Sequence, residues 1–251
     1  MKSNVCLNLS LLGLTACLAP MAHADTLGST TVNATDSVYA AGAYASDAAS
    51  FGGTAPVGIA IAPGVTSITF SSSTGATVTV NGGGNYNDAD GIGSASSEVN
   101  TGFNSLSGIS SPTAGYIAGV FLTAGGPDGT APAALDFDGT GGTSFTSLSA
   151  AIDQVFYVGD GLTGDGTGTT QTFYVPTGAT ELYLGLADAC GYYGGPSCLG
   201  DNAGSFSVNY DEHGSGTPPP PPSVPEPSSL VLLGTGVLAA AGTIRRRFVT
   251  C

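Results

Sequence analysis

The chain has 251 residues, room for one ordinary domain plus processing segments, or at most two small domains. It carries 18 acids against four Lys and Arg, a formal net charge of −14, with 40 Gly and no Trp. No Lys or Arg stands between Lys2 and Arg245. The stretch between them therefore repels nucleic acid and anionic lipid, lacks a clamp for phosphorylated substrates, and attracts divalent cations.

At the N-terminus, Lys2 precedes a moderately apolar run from Leu7 to Leu18, and Ala22-His23-Ala24 places small residues where a signal peptidase reads. Residues 1–24 are thus predicted to be a signal peptide, with Asp25 the first residue of the exported protein. Leu14-Thr15-Ala16-Cys17 also resembles a bacterial lipobox, which keeps lipidation at Cys17 open as the alternative.

The body, residues 25–213, reads as short apolar clusters between Gly-rich turns. Strands are predicted at Val57–Ile61, Ser67–Phe70, Ala76–Val80, Tyr116–Thr123, Val155–Val158, Gln171–Val175, Glu181–Ala187 and Ser205–Tyr210. Thr77-Val78-Thr79-Val80 and Ser205-Phe206-Ser207-Val208 alternate, as half-buried strands do. Pro63-Gly64, Gly82-Gly83-Gly84 and Pro176-Thr177-Gly178 mark turns. Ser147–Gln154 is the one helix-like candidate and fits a short turn equally well. Eight or more short strands point to an all-β, jelly-roll-like β-sandwich.

Within the body, Asn85-Tyr86-Asn87-Asp88-Ala89-Asp90-Gly91 departs from a calcium-binding EF-hand loop. Tyr86 stands at the first ligand position, and Ser97 rather than Glu at the twelfth. The loop is instead expected to lend a carbonyl or Asp90 to the rim of a cation site. Cys190 and Cys198 are the only cysteines of the body. In an oxidising compartment their close spacing makes a local disulfide the expected state, since zinc would need two further ligands.

Asp188 precedes that cysteine-bracketed loop, and Asp201 and Asn202 follow it. Two carboxylates, an amide and main-chain carbonyls suit calcium, which takes six to eight oxygens and tolerates irregular loops. The alternative is that Asp188 ends a strand and Asp201-Asn202 form a turn. Tyr192 and Tyr193, inside the loop, are candidate sugar-stacking residues. The body has one His, His213, no Asp-Thr-Gly or Gly-x-Ser-x-Gly signature, and two cysteines expected to be oxidised. Binding rather than catalysis is expected.

Phe173-Tyr174-Val175-Pro176, Thr180 to Asp188, Gly200 to Asn209 and Gly115 to Leu122 together resemble strands of the calcium-dependent galactophilic bacterial lectins. The likeness is concentrated in the last strands and fades before residue 110. It implies a calcium ion held by Asp188, Asp201, Asn202 and a main-chain carbonyl near Cys198, with the ion itself meeting sugar hydroxyls. This sequence departs from that family in the longer Asp188–Asp201 interval and in lacking an early-loop His that touches sugar.

After the body, residues 214–223 form a Gly/Pro-rich linker whose five prolines, Pro218 to Pro222, favour a stiff polyproline spacer. Ser228 to Ile244 are uncharged and, as a helix at ~1.5 Å per residue, reach roughly 25 Å, slightly short of a ~30 Å hydrocarbon core. Arg245, Arg246 and Arg247 would then lie on the cytoplasmic side. Pro225-Glu226-Pro227, the apolar helix and the arginine cluster, in that order within residues 224–251, resemble the PEP-CTERM sorting signal of exosortase substrates. The resemblance implies transient inner-membrane anchoring, cleavage near the Pro-Glu-Pro triplet by an exosortase-type transpeptidase, and transfer of the body to the cell surface or extracellular matrix. The expected partners are that transpeptidase, a signal peptidase and an exported polysaccharide or other carbohydrate.

Overall fold

The computed structural model describes residues 25–214, apart from 73, 74, 76, 81, 83–85, 93–97, 140 and 141. The predicted signal peptide with Cys17, the linker beyond 214, the Pro-Glu-Pro triplet, the apolar helix and Arg245–Arg247 lie outside the described residues. Among the described residues no helix is long and apolar enough to cross a membrane.

The body is all-β. One sheet contains the strands Ser147–Leu148, Thr172–Tyr174, Val65–Ser72, Ala203–Gly214, Val78–Thr79 and Tyr86–Asn87 in that spatial order, with Thr26–Asn33 paired to the last long strand. A second has the order Val155–Tyr157, Ile117–Leu122, Glu181–Leu186, Val57–Ala60. Two smaller sheets pair Leu162–Gly164 with Thr167–Thr170, and Tyr193–Gly194, Glu98–Asn100, Ile109–Ser111 and Leu135–Asp136 in that order. Every residue of Ile117–Leu122 is buried, as its unbroken apolar run requires at the centre of a sheet covered on both faces. Phe173 of the first sheet meets Phe156 of the second, ring centroids 5.6 Å apart, so one core lies between the two.

The eight predicted strands are all present, the Ala76–Val80 run shortened to Val78–Thr79 among the described residues. Ser147–Gln154 is not a helix. Ser147-Leu148 pairs parallel with Thr172-Phe173, and Asp153 has φ +64°, a conformation that ends any right-handed helix. A further edge strand, Thr26–Asn33, runs antiparallel to the last strand from Thr26 opposite Glu212 to Asn33 opposite Ser205. The last strand runs Ala203–Gly214, longer at both ends than the predicted Ser205–Tyr210, and reaches one residue past the predicted end of the body at 213. Near its start, Gly204 has φ +99°, and a Cβ there would run into the Thr77 carbonyl oxygen. Only glycine allows that close approach of the Thr77–Thr79 backbone.

Candidate functional site

The loop between Glu181–Leu186 and Ala203–Gly214 is where the predicted ligands fall. Cys190 and Cys198 form a disulfide with Cα atoms 5.2 Å apart, closing an eight-residue separation. The base of the loop is pinned by the Ser197 N–H on the Asp188 carbonyl (3.1 Å), while the Ser197 hydroxyl oxygen accepts the Cys190 N–H (3.1 Å). After it, Leu199–Asp201 make one short 3-10 turn, in which the Asp201 N–H donates to the Cys198 carbonyl at 3.2 Å.

This folding brings Asp188 and Asn202 into contact. The Asn202 side-chain N–H₂ donates to Asp188 Oδ2 at 2.8 Å and to the Ala34 carbonyl at 3.1 Å, which ties the turn to the end of the first strand. Both residues are buried, Asp188 at 3% exposure and Asn202 at 6%. The remaining Asn202 oxygen, Oδ1, is buried with no hydrogen-bond partner. Asp201 is exposed and close enough for its charge to act on Asp188. Burial is the main cause that pushes the Asp188 carboxyl up to about 6; the Asn202 hydrogen bond opposes it and the Asp201 charge adds to it.

Tyr193 is 63% exposed and Tyr192 half-buried, so the stapled loop presents at least one open aromatic face near these groups. The Asp201 carbonyl accepts the Gly82 N–H at 3.0 Å, which places Gly82 beside the site. Tyr86 is 65% exposed. Tyr86 pairs with Thr79, which pairs in turn with Ala203, so it lies two strands from the site through sheet pairing rather than sequence distance.

The contacts of Asp90 lead to a different group. Carboxylate oxygens of Asp88, Asp90 and Asp165 lie within 4.8 Å of one another. Asp90 Oδ1 accepts the Tyr157 hydroxyl (2.8 Å) and the Asp160 N–H (2.9 Å). Asp90 and Asp165 line a cleft of about 290 Å³ together with Thr113, Ser144, Tyr157 and Thr163. Burial raises the Asp90 carboxyl against the Asp160 backbone hydrogen bond, and the Asp160 charge raises it further. The Asp88 carboxyl is also raised, by burial and then by Asp165. Asp165 is 75 residues from Asp90 in sequence, so only the folded sheet reveals this cluster.

Comparison with known proteins places one part of the chain. Residues 223–247 match the PEP-CTERM protein-sorting motif. No curated protein and no solved structure gives a significant match. The chain is therefore an exported protein that carries an exosortase sorting signal, directed to the cell surface or extracellular space.

Proposed function

We propose that the body is a calcium-dependent carbohydrate-binding module of jelly-roll type, delivered to the cell surface or matrix when the sorting signal is cut. Asp188, Asp201 and Asn202 hold the ion with the Cys198 carbonyl, and Tyr193 with Tyr192 offers a stacking face for sugar. The observation that carries this reading is the buried Asp188 carboxylate beside an Asn202 amide oxygen that has no partner, in a chain without Lys or Arg between Lys2 and Arg245. A buried carboxylate must be protonated, paired with a cation or well hydrogen-bonded, and the Asn202 N–H₂ supplies a neutral partner only. Calcium supplies the charge, and turning the Asn202 amide gives it an additional oxygen ligand. With these four protein oxygens in place, the rest of calcium's six to eight positions are open to water or vicinal sugar hydroxyls.

The Asn202 hydrogen bond to the Ala34 carbonyl favours a second reading, in which the same ion only fastens the loop to the first strand of a structural matrix protein. Binding rather than catalysis fits the described groups. His213 is the one described imidazole and lies against Asp25 (3.4 Å) and Thr69 (3.0 Å), while both body cysteines are joined.

Calorimetry of the exported protein at near-millimolar calcium, the range of extracellular calcium modules, should give binding heat. Asp188→Ala should abolish it, and Asp201→Ala should weaken affinity at least about tenfold as the ligand charge falls. A glycan screen should then lose its positives on addition of chelator. Calcium heat without glycan binding selects the structural reading. Unchanged calcium affinity in Asp188→Ala together with loss in Asp165→Asn would move the ion to the Asp88–Asp90–Asp165 cluster.

A further inference from the structure

The last strand connects the two ends of the molecule that matter for attachment. It starts at Ala203, directly after Asn202, and ends at Gly214, directly before the linker and sorting signal. The steps between its 12 residues, at ~3.3 Å each, make it roughly 36 Å long. Thr26 stands opposite Glu212, and Asp25 lies 3.4 Å from His213. The start of the body and the exit of the tail therefore share one pole. The Cys190–Asn202 turn lies at the other.

We infer that this strand is the load path between a partner held at the turn and whatever holds the tail, so that tension passes through the domain without unfolding it. From Cys198 the chain makes one 3-10 turn and enters the strand. A strand is already near the full extension of its backbone, at ~3.3 Å per residue against a limit of ~3.3–3.6 Å. Force applied at its two ends is borne by covalent bonds and need not strip it from its neighbours. The Cys190–Cys198 disulfide joins the incoming side of the turn to the same path and removes the slack of the eight-residue separation.

Pulling by the two ends that share a pole is a different case. Thr26–Asn33 and Ala203–Gly214 are antiparallel, so force between residue 27 and the tail peels their pairs one after another, starting at Thr26–Glu212. Pairs broken singly resist far less than a strand loaded along its length. Only the choice of pole for the partner rests on the proposed function. The path itself follows from connectivity and pairing.

Single-molecule pulling of the full chain tests this, with azidophenylalanine handles at paired positions. One version carries handles at Tyr193 and Ser215, the other at Leu27 and Ser215; Tyr193 is 63% and Leu27 82% exposed, so neither replacement disturbs the core. Both are pulled in chelator, which keeps the result independent of calcium and sugar. The Leu27–Ser215 version should peel the Thr26–Asn33 pairs at low force and then unfold the rest of the domain in one cooperative step. The Tyr193–Ser215 version should show no cooperative step below about twice that force, since forced unfolding reports the barrier along the pulled coordinate. Any cooperative step below that limit overturns the load path and leaves the calcium reading untouched.

Discussion

Held in chelator, the protein becomes less stable as the pH rises from about 4 to about 6. The Asp188 carboxyl titrates near 6 in the folded protein against an ordinary value of 3.8. Between those two values the folded state binds more protons than the unfolded state, so the free energy of unfolding falls with increasing pH. The loss begins near the unfolded value and is complete once the pH passes the folded one. A displacement of about two pH units corresponds to roughly 3 kcal/mol for this one nearly buried group. Asp90 and Asp160 are raised too, in both cases mainly by burial, and contribute with the same sign. Growing self-repulsion in a chain of net charge −14 adds to the trend.

Calcium should reverse this at pH 7, by about 2.7 kcal/mol at a concentration one hundred times its dissociation constant. Asp188→Asn separates the sources. It should flatten most of the pH dependence in chelator and abolish the gain from calcium. Chemical denaturation at fixed ionic strength, from pH 4 to pH 7, reads both effects. A stability that increases over that range in chelator would mean that Asp188 is not an uncompensated buried charge.

The elements that were legible in the sequence are those whose own side chains enter the core. Glu181–Leu186 buries Leu182, Leu184 and Leu186, and Ala203–Gly214 buries Phe206 and Val208, so alternation or apolar runs mark both. Thr26–Asn33 is different. Of its two apolar residues, Leu27 is 82% exposed and Val32 alone is fully buried, so its strand state comes from eight register pairs with the last strand. The short 3-10 turns within Gly42–Phe51, broken at Tyr44, are equally silent, burying only Ala48 and Phe51.

At the site, Asp188 and Asn202 could be singled out because they flank the two cysteines of one loop. That the Asn202 amide would bind Asp188, rather than stand beside it as a second oxygen ligand, could not be read from residue types. Nor could the partners of Asp90, which come from residues 157, 160 and 165 across another sheet junction. Ligand sets drawn from one loop are visible in a sequence. Those assembled by pairing of distant strands are not.

Phe173→Ala should be the most damaging single change in the body. Phe173 is 1% exposed and touches three other rings, Phe70 at 5.1 Å, Phe156 at 5.6 Å and Phe145 at 5.7 Å between centroids. Phe70 lies in the same sheet and Phe156 in the facing one, so the ring joins the two layers. Truncating a buried Phe costs about 3–5 kcal/mol through lost burial and the cavity left behind. For a domain of this size, each kcal/mol lowers the melting temperature by roughly 2–4 °C. A fall on the order of 10 °C is therefore expected from the same two numbers. Its neighbour Tyr174 points to the other face and is 49% exposed, so Tyr174→Ala should change stability by less than about 1 kcal/mol. The pair of variants measured side by side by thermal denaturation isolates the inter-sheet contact from strand propensity. Well below its midpoint, Phe173→Ala should still bind calcium with unchanged affinity, because the Asp188–Asn202 turn is braced by its own disulfide and hydrogen bonds. If the two variants melt together, the sheets are not held across that ring.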